Sequence, residues 1–155
     1  MQRRTIFRAL AIIAGASLPA AGLLAQTRPG VEVWKDPNCG CCKDWIKHLE
    51  SDGFEVRVND SGNTAARARL GIAESLGSCH TALVGGYAIE GHVPARDIRR
   101  LLKERPSAVG LAVPGMPIGS PGMDGAVYGG RKDRFDVLLV LRNGSSTVYQ
   151  RYNAS

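Results

Sequence analysis

The sequence predicts an α/β fold, and three observations carry that reading. Short apolar runs with strand-like alternation recur between amphipathic stretches. The first two runs, 31–35 and 54–59, flank a segment of helical period. Gly85 and Gly86 split a later apolar run into the two arms of a hairpin. At 155 residues, with 44% hydrophobic and 22% charged residues, the chain is long enough for one unit with an ordinary core and no disulfide staples.

The elements follow in order. Residues 1–25 combine Arg3, Arg4 and Arg8 with an apolar run and a small-residue end at Ala25, the pattern of a cleaved signal peptide. Pro19 and that ending argue against a retained membrane anchor, and the order Gln2-Arg3-Arg4-Thr5-Ile6-Phe7 resembles a twin-arginine export signal. Residues 26–155 are then the single domain. "VEVWK" at 31–35 alternates as a strand, and "DPNCGCC" is a loop leading into a helix that Asp36 or Asn38 would cap. That helix turns Trp45, Ile46 and Leu49 to one face and stops at Gly53. "FEVRVN" supplies a second strand, parallel to the first through a right-handed crossover.

"TAARARLGIAESL" reads as helix broken at Gly71, and "SCHTALVGGYAIEGHV" as the hairpin. "PARDIRRLLKERP" is a helix with Pro94 in its first turn, Ile98, Leu101 and Leu102 inward, and Pro106 at its end. The Gly/Pro-rich stretch 108–125 is expected as an ordered loop, and 135–152 as two more strands around Asn143 and Gly144. A β-α-β unit, a helix, a hairpin and a last helix, with cysteines at the first strand-to-helix junction, is the thioredoxin-like (glutaredoxin-like) layout with an additional C-terminal β-hairpin.

Charge excludes one class of partner. Removing residues 1–25 takes away three of 20 basic residues and none of 14 acidic ones, so the net charge of +6 drops by three. A balance that mild, without a clustered basic face or aromatic platforms, gives no case for nucleic acid.

The cysteines carry the chemistry. Cys39, Cys41 and Cys42 crowd one loop and Cys79 lies far along the chain. Three uses remain open. Two structural disulfides suit an exported chain, but bridges inside the trio close loops too short to stabilise much. Thiol-disulfide exchange suits Cys39 and Cys42, a C-x-x-C pair before a helix, where the dipole favours a thiolate. Against it, Cys41 intrudes as a third nucleophile, and His80 stands where such folds place a proline.

A soft-metal site is the third use. If Gly85-Gly86 is a two-residue turn, Val84 faces Tyr87, Ala82 faces Ile89 and Cys79 faces His92. His92 then joins Cys79, whereas His80 points to the other face of a regular strand. His48, six residues past Cys42, is expected at the surface, as are Lys35, Lys43 and Asp44 beside the loop. Adjacent thiolates bridge Cu(I) ions, and Met116 and Met123 in "PGMPIGSPGM" are thioethers, which bind Cu(I) well and zinc poorly. The expected ligands are Cys39, Cys41, Cys42, Cys79, His92, His80, Met116 and Met123.

The segments "WKDPNCGCCKDWIKHLE", "SCHTALVGGYAIEGHVPARDIRRLL" and "AVGLAVPGMPIGSPGM" together resemble the CopG-type periplasmic copper-resistance proteins, over about residues 31–152. The resemblance implies a thioredoxin-like fold and a multinuclear, cysteine-bridged copper cluster on Cys39, Cys41, Cys42 and Cys79. It also implies Cu(I)/Cu(II) redox chemistry in copper detoxification. The expected partners are copper ions and other periplasmic copper-handling or electron-transfer proteins. One departure is Ala73, where the family pattern has proline.

Overall fold

The computed structural model describes residues 28–153; the expected signal peptide, 1–25, lies outside them. Strand β1 (Gly30–Lys35) leads through the cysteine loop into helix α1 (Gly40–Ser51), and β2 (Glu55–Asn59) returns parallel to β1, with Val31 opposite Val56. Helix α2 (Thr64–Arg69) ends before Gly71, whose φ of +79° only glycine adopts without strain, and a short 3-10 turn at Glu74–Leu76 follows. Strands β3 (His80–Val84) and β4 (Tyr87–Glu90) form the glycine-turn hairpin in the expected register, Val84 opposite Tyr87 and Ala82 opposite Ile89. Helix α3 (Ala95–Glu104) carries Ile98 and Leu101 into the core.

Three further strands widen the sheet: β5 (Gly110–Ala112), β6 (Phe135–Val140) and β7 (Ser146–Tyr152). The strand order is β2-β1-β3-β4-β5-β6-β7, with β1/β2 and β4/β5 parallel and the other pairs antiparallel. Strand β5 corrects the expectation of a loop throughout 108–125. Its first residue has room for glycine alone: a Cβ at Gly110 would stand 1.7 Å from the Ala88 carbonyl oxygen.

Side-chain alternation sorts the apolar residues onto two faces. Ile89 and Leu111 join Val33, Trp45, Leu49, Ile98 and Leu101 in the larger core, beneath α1 and α3. Their neighbours Ala88 and Ala112 face the other way, onto Ile72 and Leu76. Among the described residues no helix is long and apolar enough to cross a membrane. The arrangement leaves the β1–α1 loop, the start of β3, the end of β4 and the Gly/Pro loop at one end of the sheet.

Candidate metal centre

The first helical turn is built from the cysteine loop itself. Cys39, not Asp36 or Asn38, is the N-cap of α1: its Sγ accepts from the Cys42 backbone N–H at 3.3 Å. The Asp36 side chain instead accepts from the Asn38 N–H at 2.8 Å, tightening the turn before the helix. Lys35 is also not where a solvated lysine belongs. It is 2% exposed, and its Nζ donates to the Asp36 carbonyl at 3.1 Å and to Asp60 Oδ1 at 2.5 Å, tying the cysteine loop to the β2–α2 connection.

Folding brings the remote thiol to the trio. Cys41 Sγ lies 3.5 Å from Cys39 Sγ and 3.7 Å from Cys79 Sγ, and Cys42 Sγ lies 3.5 Å from the Cys79 carbonyl oxygen. The four sulfurs all fall within 4.8 Å of one another. Cys39 and Cys42 are joined as a disulfide, and Cys41 and Cys79 are free thiols, so a four-thiolate site requires that bridge to open.

Two imidazoles meet the far side of Cys79. His92 Nε2 is 3.2 Å and His80 Nδ1 3.4 Å from its Sγ. His92 Nδ1 lies 2.8 Å from the Pro121 carbonyl, which accepts only, so Nδ1 holds the proton and Nε2 presents its lone pair to the sulfur. His80 is fully buried against the Trp45 ring, at 4.2 Å between centroids, and its Nε2 has no hydrogen-bond partner among the described residues. His80 does not turn away from the site as strand alternation predicts. Ladder pairing stops at Glu90, and Gly91 at φ +70° swings His92 over to the His80 side, with 5.0 Å between their rings.

Burial sets the protonation states. It lowers the pKa of His92, and of His80 well below the ordinary value, so both rings are neutral, the form that binds metals. Burial, reinforced by Cys41, pushes the Cys79 thiol up to about 12. Without a metal this sulfur keeps its proton, and an ion binding there would displace it. The donors are thiols and imidazoles with no carboxylate among them, and one buried ring nitrogen is unpartnered, so the set fits a soft or borderline ion.

The two methionines lie on the Gly/Pro loop. Met116 is 52% exposed at the rim of a cleft of about 470 Å³ whose lining includes Cys79, Ser78 and Arg67. Met123 is buried, and its Sδ accepts from the Tyr128 hydroxyl at 3.3 Å. His48 is half-buried rather than at the surface, its Nε2 accepting from the Ala95 backbone N–H at 3.0 Å. Sequence reasoning missed the roles of Lys35, Pro121 and the Glu90–Arg67 pair, whose contacts run between distant segments. The one local signal was an acid, Glu90, inside an apolar strand.

Fold and site define a class: a mixed α/β protein, with a seven-stranded sheet and three helices among the described residues, and a thiol–imidazole cluster that could hold a metal. Two solved structures, described as "Copper resistance protein copG", Form 2 and Form 1, are each 48% identical to it. Each match covers 81% of this chain and 98% of the other, with TM-scores of 0.75 and 0.74. The chain belongs to the family of these CopG copper resistance proteins. A family model described as "Protein of unknown function, DUF411" matches residues 76–123, which hold Cys79, His80, His92, Met116 and Met123. No protein of curated function matches.

Proposed function

We propose that this is an exported copper-binding protein of thioredoxin-like fold, a single domain over 26–155. It holds a multinuclear Cu(I) cluster on Cys39, Cys41, Cys42 and Cys79 and acts in copper resistance. His92 and His80 complete the cluster on the Cys79 side, and Met116 and Met123 supply thioethers from the loop above it. The observation that carries this reading is the 3.7 Å approach of Cys79 Sγ to Cys41 Sγ, across 38 residues of chain. A structural disulfide scaffold has no use for a third and fourth thiol gathered at one point, whereas bridging thiolates do.

The protein acts by sequestering copper, by interconverting Cu(I) and Cu(II), or by both in turn. Closing the Cys39–Cys42 bridge from two thiols releases two electrons and two protons, enough to reduce two Cu(II) ions to Cu(I). The partners on this reading are copper ions and copper-handling or electron-transfer proteins of the periplasm, which the chain reaches through its signal peptide. Copper is measured on protein purified without tags and reduced. Cys41→Ser should keep the wild-type circular dichroism while binding fewer coppers per chain, and unchanged copper content would remove the cluster.

A second reading is favoured by one specific observation, the Cys39–Cys42 disulfide at the N-terminus of α1. That is where a dithiol oxidoreductase carries its redox pair. Turnover in an insulin-reduction assay would support it; copper binding without such turnover supports the first reading.

A further inference from the structure

We infer that Glu90, with Arg67 and Asn63, is the positioning group for the fourth sulfur: together they clamp the Ser78 peptide and so set where Cys79 stands. Glu90 is fully buried on β4. Its Oε1 accepts from the Ser78 backbone N–H at 2.6 Å and from Arg67 Nε at 2.9 Å, and its Oε2 from the Thr81 hydroxyl at 2.6 Å. The other end of the same residue is held as firmly. The Ser78 carbonyl accepts from Arg67 Nη2 at 2.6 Å and from Asn63 Nδ2 at 3.1 Å, and the Ser78 hydroxyl donates to the Gly115 carbonyl at 2.5 Å.

Cys79 needs such a device because the sheet does not supply one. The β3–β4 ladder begins at Thr81 opposite Glu90, leaving Cys79 beyond the last paired residue. Among the described residues the hydrogen-bonding partners of the Cys79 sulfur are the Cys41 thiol, the two imidazoles and, at 3.9 Å, the Ser78 hydroxyl. Its place is therefore set through the backbone, and the preceding residue is fastened at N–H, C=O and side chain. Stability alone does not call for this chemistry, since an apolar residue of similar volume commonly matches a buried ion pair. An apolar residue would leave the Ser78 N–H without its Glu90 acceptor. Gly91 completes the fit: a Cβ there would stand 2.6 Å from Ser78 Cβ.

The consequence for copper rests on the reading above; the clamp itself does not, so the test has a metal-free arm. Protein with the Cys39–Cys42 bridge intact is equilibrated with oxidised and reduced glutathione, and peptide mapping gives the ratio of Cys79 bridged within the chain to Cys79 bound to glutathione. That ratio, multiplied by the concentration of reduced glutathione, is the effective molarity of Cys79 toward its neighbours. It should fall at least about tenfold in Glu90→Leu and in Arg67→Ala, and stay within about threefold of wild type in Glu90→Gln, which keeps an acceptor for the Ser78 N–H. An unchanged ratio in Arg67→Ala or Glu90→Leu, with wild-type near-ultraviolet circular dichroism, overturns the clamp. Cu(I) per chain, measured in the same variants after reduction, should fall with the ratio. A lowered ratio with full copper content upholds the clamp and removes the four-sulfur copper reading.

Discussion

At the scale of single residues, the site depends on close approaches that leave no spare volume. Gly122 shows this most directly. It sits at φ +84°, and a Cβ there would stand 2.6 Å from the Cys41 carbonyl oxygen and 2.8 Å from the Trp45 amide nitrogen. The Gly/Pro loop thus rests against the first turn of α1 through a residue with no side chain. Pro121, one position earlier, holds the His92 proton. Gly122→Ala combines a strained φ with a backbone clash, so it should destabilise the protein by about 1–3 kcal/mol, read as a lower urea midpoint at unchanged m-value. Wild-type stability in that variant would show that the loop does not bear on the helix. Lys35 belongs to the same scale. Its position beside Asp36 marks it as a surface charge in the sequence, yet the β1 alternation that buries Val31 and Val33 buries it as well.

At the scale of elements, α1 and α3 are joined by a histidine. His48 takes the Ala95 N–H, one of the donors that the start of α3 leaves without an intrahelical partner. That bond needs an unprotonated Nε2. Burial lowers the His48 pKa, against the opposing pull of Asp124 and Asp52. Because the folded-state value is depressed, this stabilisation is complete above the ordinary histidine value near 6.5 and is lost as pH falls from there toward the folded-state pKa. Urea midpoints between pH 8 and pH 5 should therefore decline, His48 contributing at most about 1.4 kcal/mol per pH unit. His48→Gln keeps an acceptor and should remove that share of the decline; an identical pH profile would assign the slope to groups other than His48. Sequence reasoning read α1, α3 and both hairpins, because 3.6-residue and two-residue periods and a Gly-Gly turn are local signals; it put Cys79 near His92 too, but through a ladder pairing that stops at Glu90. It did not read β5, which exists because Gly110 can lie against the Ala88 carbonyl, nor His80 and His48. Their surroundings are set by Gly91 and by α3, which come later in the chain.

At the scale of the molecule, the centre is assembled from four stretches: the 39–42 loop and helix start, 78–80 before and at the start of β3, 91–92 after β4, and the loop carrying Pro121 and Gly122. No one of these fixes the cluster alone. An ion bound to all the sulfurs would therefore tie α1 to the middle of the sheet, so its binding free energy would add to folding free energy. The disulfide makes that coupling conditional. With Cys39 and Cys42 bridged, two of the four sulfurs are withdrawn and Cys79 holds its proton up to about pH 12. Cu(I) supplied under anaerobic conditions should then raise the urea midpoint only slightly. After reduction and removal of the reductant, the same additions should stabilise the fold by RT ln(1 + [L]/Kd), about 4 kcal/mol at a thousandfold excess over Kd. The gain should be smaller in Cys41→Ser, which removes the sulfur that approaches both Cys39 and Cys79 and leaves the two bridge-forming cysteines in place. Equal stabilisation of the bridged and reduced forms would place the metal on the groups outside the bridge, Cys41, Cys79 and the two histidines, with Cys39 and Cys42 left to thiol exchange.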